Sequence, residues 1–187
     1  MTLTRRQAVT AAAGAAVALP LARAVPAGAA ISGDAAVLTQ VARVELVLRY
    51  AYALTAEADL DAPRLRETVQ RFAAQEAEHL GALATSLEAL GAPKPTGPRS
   101  PQDLDRATTV LGIERPFTQR TSAADVAGFL LALEEASIKT LELAAARLGD
   151  LNLLQTALTI LGCQAQHAAV LEAATGRGPV RSALIRS

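Results

Sequence analysis

Six polar residues stand where the surrounding pattern asks for apolar ones. Leu65, Val69, Phe72, Leu83, Leu87 and Leu90 recur at helical steps of three or four, and Glu76 and His79 occupy the middle of that stripe. Glu45 is central to Leu38, Val41, Leu48 and Tyr52. Glu134 is central to Ala127, Leu130, Leu141, Ala145 and Leu148, and Gln164 and His167 to Leu154, Ala157, Leu161 and Leu171. An isolated carboxylate on a buried stripe costs many kcal/mol, so it must be paired, protonated or bound to a metal. The spacing agrees with ligation. Glu45 and Glu76 are 31 residues apart, Glu134 and Gln164 are 30 apart, and Glu76-x-x-His79 and Gln164-x-x-His167 share the (i, i+3) step that puts both side chains on one helix face. Up to four oxygen ligands and two imidazoles are thereby offered to one centre. That set suits a dinuclear carboxylate site for iron or manganese.

Four helices are needed to position these residues, and the sequence marks their limits. The first is expected over about 34–57 and the second from Ala62 or Pro63 to Leu90, with Asp61 as its cap and Gly91 as its stop. The third is expected from Ser122, capped by Thr121 or Ser122, to Leu148. The fourth runs from Leu151 to Ala174, before Gly176. Tight turns near 58–62 and 149–150 make two antiparallel hairpins. Between the hairpins, residues 91–121 are rich in Pro and Gly, and the charges at 99–106 and 114–120 read as solvated loop. Thirty-one residues reach roughly 100 Å, whereas a helix of 27 residues is only about 40 Å long. The connection can therefore cross the whole bundle, so the expected fold is all-α: a four-helix bundle of two hairpins joined by one long crossover.

Composition supports this reading. Of 187 residues 51% are hydrophobic but only 3% aromatic, so the apolar content is mostly Ala, Leu and Val. Eighteen basic residues balance eighteen acidic ones, which speaks against a nucleic-acid partner. Cys163 is the single cysteine, so neither an intrachain disulfide nor a Cys-rich metal site is available. It sits off the inner stripe and reads as a packed small hydrophobe.

Residues 1–29 read as an export signal: a basic start, an apolar run from Ala8 to Leu21, and Ala27-Gly28-Ala29 as a cleavage candidate, with Ala22-Arg23-Ala24 as a second. Thr4-Arg5-Arg6-Gln7-Ala8-Val9 resembles a twin-arginine motif, with Ala8 where that pattern usually has Phe. The apolar run is too short to span a bilayer. Cleavage after Ala29 removes Arg5, Arg6 and Arg23, leaving 15 basic against 18 acidic side chains and a net charge of −3. The expected organisation is a signal at 1–29, a bundle at 30–176 and a tail at 177–187. The mature chain is expected to be periplasmic, wall-associated or secreted, without a membrane span.

On these residues the chain resembles the ferritin-like superfamily over roughly 35–175, and most of all its exported bacterial ferritin-like domain proteins. Glu76-Ala77-Glu78-His79, Ala132-Leu133-Glu134-Glu135 and Gln166-His167-Ala168-Ala169-Val170-Leu171 carry the likeness. The resemblance implies iron or manganese held by Glu45, Glu76, His79, Glu134, Gln164 and His167, and places Tyr52 beside the metals as a weak catalytic candidate. Glu135 competes with Glu134, since it shares a face with Leu131, Ile138 and Glu142. His167 also fits a core histidine bonded to Gln164 or Glu134. Gln164 departs from the Glu-x-x-His pattern and leaves three carboxylates against the four positive charges of two divalent ions. Two functions follow: a metal-binding protein that oxidises metal or consumes peroxide, or a structural or stress-protection module with a degenerate site. Metal ions are the expected partners of a monomer or small homo-oligomer. The short tail leaves little from which to build a cage.

Overall fold

The computed structural model describes residues 27–58 and 62–175, and their regular structure is entirely helical. Four long helices form the bundle: α1 (Ala27–Glu57), α2 (Pro63–Ala89), α4 (Ala123–Ala145) and α5 (Leu151–Ala174). A shorter α3 (Pro101–Val110) and a 3-10 turn at Phe117–Gln119 lie in the connection between α2 and α4. α1 packs along α2 and α4 along α5, and the two hairpins meet mainly through α1 against α4. Asp34, early in α1, bonds the turn after α4, whereas Tyr52, late in α1, bonds Glu134 in mid-α4. α1 and α4 are therefore antiparallel, α2 and α4 run the same way, and the connection must travel the bundle's length. This is the expected one-crossover topology.

Local chemistry sets the boundaries. Gly91, at φ 66°, ends α2 in a Schellman motif, with Gly91 N–H donating to Glu88 O and Ala92 N–H to Leu87 O. Ser122 caps α4 by accepting from Asp125 N, and Asp150 caps α5 by accepting from Asn152 N and Leu153 N. α4 ends at Ala145 rather than Leu148, and Leu148 closes the last turn by donating to Ala144 O. α1 extends back to Ala27 instead of starting at Asp34, because an Ala-rich stretch contains no stop signal. Ala27–Ala29, the cleavage candidate, thus forms its first residues. Residues 1–26, Asp61 and the tail lie outside the described residues.

The connection departs from the expected loop. Ser100 accepts a hydrogen bond from Asp103 N and Pro101 takes the first helical position, a start signal that converts part of segment 99–106 into α3. Leu104 on this helix is fully buried against α1 and α4 side chains. Asp105 accepts from Phe117 N and Thr118 Oγ1, each at 2.6 Å, and so ties the 3-10 turn to α3. Gly97 passes so close to α1 that a Cβ there would lie 2.9 Å from Leu46 Cβ. Pro and Gly composition obscured a folded strap.

The core divides into two apolar clusters. One holds Leu48, Tyr52, Val69, Phe72, Leu104, Phe129, Leu130 and Leu171; the other holds Leu38, Val41, Leu83, Leu87, Leu141 and Ile160. A polar layer separates them: Glu45, Glu76, Glu134, Ser137, Gln164 and His167, all buried.

Asp34 joins the first helix to the second hairpin. Its buried carboxylate accepts from Gly149 N at 2.9 Å and Asp150 N at 3.1 Å. Asp34→Ala removes both charge-assisted bonds and is expected to lower unfolding free energy by about 1–3 kcal/mol. Asp34→Asn, which keeps one acceptor oxygen, should lose less. Denaturant midpoints followed by far-ultraviolet circular dichroism check the order; wild-type stability in Asp34→Ala would mean the turn holds without the clamp.

Candidate metal centre

Each long helix contributes to the polar layer at its midpoint. α1 brings Glu45 and Tyr52, α2 brings Glu76 and His79, α4 brings Glu134 and Ser137, and α5 brings Gln164 and His167. Glu45, Glu76, Glu134 and Gln164 are completely buried, and His79 retains 11% side-chain exposure. Glu134 faces the interior, and Glu135 lies on the exposed face of α4. The structure therefore brings together all six residues singled out by spacing.

Two ligand groups emerge, and both contain Glu76. Glu45, Glu76 and His79 form one; Glu76, Glu134 and His167 form the other; within each group one ligand atom per residue lies within 4.8 Å of the others. His79 Nδ1 stands 3.2 Å from Glu45 Oε2 and 3.4 Å from Glu76 Oε2. His167 Nδ1 stands 3.1 Å from Glu134 Oε1 and 3.4 Å from Glu76 Oε1. Each oxygen of Glu76 thus serves a different imidazole, the disposition of a bridging carboxylate.

Hydrogen bonds fill the rest of the layer. Ser137 Oγ donates to Glu45 Oε1 at 2.6 Å. Gln164 Nε2 donates to both oxygens of Glu45, at 3.0 and 2.9 Å, and to Glu76 Oε2 at 3.3 Å. Carboxylates on that side require the amide to present its N–H₂ there, which turns Gln164 Oε1 away. Tyr52 donates its hydroxyl to Glu134 Oε1. Phe72 stacks on the His167 ring with centroids 3.8 Å apart and planes at 21°.

The protonation states follow from burial and these contacts. Burial raises Glu45 and Glu134 to about 7 each, against the lowering effect of His79 and His167 respectively. Burial would raise Glu76 too, but hydrogen bonds from His167 and His79 outweigh it and hold the group at about 2. Burial disfavours charged imidazoles, yet the glutamates carry His79 up to about 11 and His167 to about 9. Burial and the Glu134 charge push the Tyr52 phenol well above its ordinary value, so it remains a proton donor. Protons thus take the place of cations between the carboxylates.

Does this donor set fit a metal? Two buried oxygens, Glu134 Oε2 and Gln164 Oε1, accept no hydrogen bond among the described residues, and Glu76 Oε1 meets only His167 Nδ1, at 3.4 Å. Buried acceptors without donors are costly, and a cation relieves that cost. Oxygen and imidazole donors without a thiolate suit iron or manganese. The residues fit.

Three neighbours escaped the sequence reading. Ser137 lies three residues after Glu134, so the helical step alone could have flagged it. Gln75 Oε1 lies 2.8 Å from His167 Nε2, and only the packing of α2 on α5 reveals it. Cys163 was expected to be plain packing, but its Sγ lies 3.5 Å from His167 Nε2 at the rim of the centre. Burial raises its thiol pKa, so it stays protonated there.

Comparison with known proteins places the fold. Residues 33–177 match the family model of the ferritin-like domain. The chain is also similar to the crystal structure of a conserved hypothetical protein, rv2844, from Mycobacterium tuberculosis. The two share 20% identity with a TM-score of 0.64, over 79% of this chain and 94% of that one, a likeness of fold. No curated protein matches the chain. The matched span contains every residue of the polar layer and both hairpins, and the chain belongs to the ferritin-like domain family.

Proposed function

We propose that the polar layer is a carboxylate metal centre for iron or manganese, in a protein exported through its N-terminal segment. The carrying observation is the sharing of Glu76 by two three-residue ligand groups, beside buried oxygens that no donor satisfies. Glu45, Glu76 and His79 would hold one ion, and Glu76, Glu134 and His167 the other. When bound, such ions supply one-electron redox chemistry toward dioxygen or peroxide. The protein's own groups arrange the rest. Each imidazole turns Nδ1 toward the carboxylates, Ser137 fixes Glu45, Tyr52 donates its hydroxyl to the Glu134 carboxylate, and the flanking apolar clusters exclude water.

A second reading, a ferritin-like structural or stress-protection module with a degenerate centre, has its own support. Gln164 supplies two N–H donors to Glu45 and closes part of the layer with hydrogen bonds. A neutral amide also neither bridges two cations nor offsets their repulsion as a carboxylate does.

Metal content separates the two. After loading with iron(II) or manganese(II), the wild type should hold close to one ion per chain, Gln164→Glu close to two, and Glu76→Ala less than the wild type, with helicity retained. Elemental analysis with circular dichroism reads this. No metal in all three favours the structural module, and two ions in the wild type would overturn the argument from Gln164.

Metal binding must displace protons from Glu45, Glu134, His79 and His167, so affinity should rise from pH 6 to pH 8. Each displaced proton contributes roughly a factor of ten per pH unit below its pKa. The metal-free protein should behave oppositely. Both histidines are raised above their ordinary 6.5, so their stabilisation is full below that value and is lost as pH rises through about 9 and 11. Manganese(II) titrations at the two pH values, with denaturation of metal-free protein from pH 6.5 to 10, check both signs.

Export rests on Arg5-Arg6 and the apolar run that follows. Arg5→Lys with Arg6→Lys should retain the precursor inside the cell, detected by immunoblot of cell fractions. Unchanged export would leave an ordinary secretory signal, and wild-type protein retained in the cytoplasm would end the export reading.

A further inference from the structure

The two imidazoles of the centre are held differently. His79 meets carboxylates at Nδ1, and its side chain keeps 11% exposure. His167 is 2% exposed and constrained on every side. Phe72 stacks on one face, and Tyr52 approaches edge-on with centroids 6.4 Å apart and planes at 83°. Its Nδ1 faces Glu134 and Glu76, while its Nε2 lies 2.8 Å from Gln75 Oε1. The amide oxygen can only accept, so Nε2 must be the protonated nitrogen whenever the ring is neutral. That leaves the Nδ1 lone pair directed at the two carboxylates.

We propose that Gln75 is a positioning residue that fixes the tautomer and ring orientation of His167, so that Nδ1 is the ligand atom of the Glu76–Glu134–His167 group. Gln75 is adjacent in sequence to Glu76 but points out of the layer toward α5, so one turn of α2 supplies both a shared carboxylate and the hydrogen bond that orients the opposite imidazole. A partner on the far nitrogen of a ligating histidine sets which nitrogen carries the proton and raises ligand basicity, and its loss typically weakens metal affinity roughly 10–100-fold. Cys163 Sγ, at 3.5 Å, is too weak an acceptor to replace the amide. The inference rests on the metal-centre reading, and its role is confined to the His167 side.

The test compares Gln75→Met, which keeps length without an oxygen acceptor, with Gln75→Glu, which keeps the acceptor. In zinc(II)-loaded protein labelled with nitrogen-15 histidine, the wild-type spectrum should show His167 coordinated at Nδ1 and protonated at Nε2. Gln75→Met should lose that single signature and bind zinc 10–100-fold more weakly at the His167 group, and Gln75→Glu should restore both. His79 resonances should stay unchanged in all three. Wild-type spectra and affinity in Gln75→Met would overturn the positioning role, as would coordination through Nε2 in the wild type. If the wild type binds no metal, the centre itself fails. The orienting bond is then read in metal-free protein, where slow exchange of the His167 Nε2 proton in the wild type and fast exchange in Gln75→Met sustains it, and equal exchange refutes it.

Discussion

Three carboxylates meet in the interior of a narrow helical bundle, and their mutual repulsion and lost hydration set the terms for everything around them. Glu45, Glu76 and Glu134 have no exposure, and no lysine or arginine reaches them among the described residues. Buried charge of one sign is tolerated only with counter-charge, protons or dense hydrogen bonding. Here two imidazoles interleave with the acids, burial raises the pKa of Glu45 and Glu134 to about 7, and Ser137, Gln164 and Tyr52 donate to the carboxylates. Removing one member would leave the others uncompensated, so the layer acts as a unit.

The architecture around the layer answers to the same constraint. Four helices must arrive with their midpoints level, and a slip of one residue on any of them would rotate a carboxylate by about 100° out of the layer. Apolar clusters above and below hold the register. The ends are pinned separately: Gly91 stops α2, Asp150 starts α5, and Asp34 fastens the start of α1 to the second hairpin. α3 and the 3-10 turn give the long connection a buried anchor in Leu104. α1 is covered by α2, α4 and the strap, so it buries Val37, Leu38, Val41, Val44, Val47, Leu48 and Ala51 on more than one face.

The two sides of the centre are unequal. On the His167 side, Phe72, Tyr52 and Gln75 leave the ring one orientation. On the His79 side the ring borders solvent, and the neighbouring Gln164 contributes an amide where a fourth carboxylate would balance a second cation. Partial exposure of His79, against enclosure of His167, differentiates two ligand groups built from the same residue types.

How much of this was legible in the chain divides along a physical line. Glu45, Glu76, His79, Glu134, Gln164 and His167 betray themselves because a polar residue inside a 3.6-residue apolar stripe has no place to go except inward, and that follows from helix periodicity alone. The two hairpins and the crossover follow from turn residues and chain length in the same way. By contrast, Gln75 and Cys163 look like ordinary flanking residues of α2 and α5; their proximity to His167 Nε2 depends on how those two helices are rotated against each other. The reach of Asp34 across 115 residues to Gly149 is invisible to any local pattern. Composition misled at α3, where Pro101 and its neighbours suggested loop, although Ser100 and Asp103 encode a helix start. Local periodicity thus determined which residues go inside. Tertiary packing decided which atoms they meet there, because only the assembled bundle fixes distances between helices.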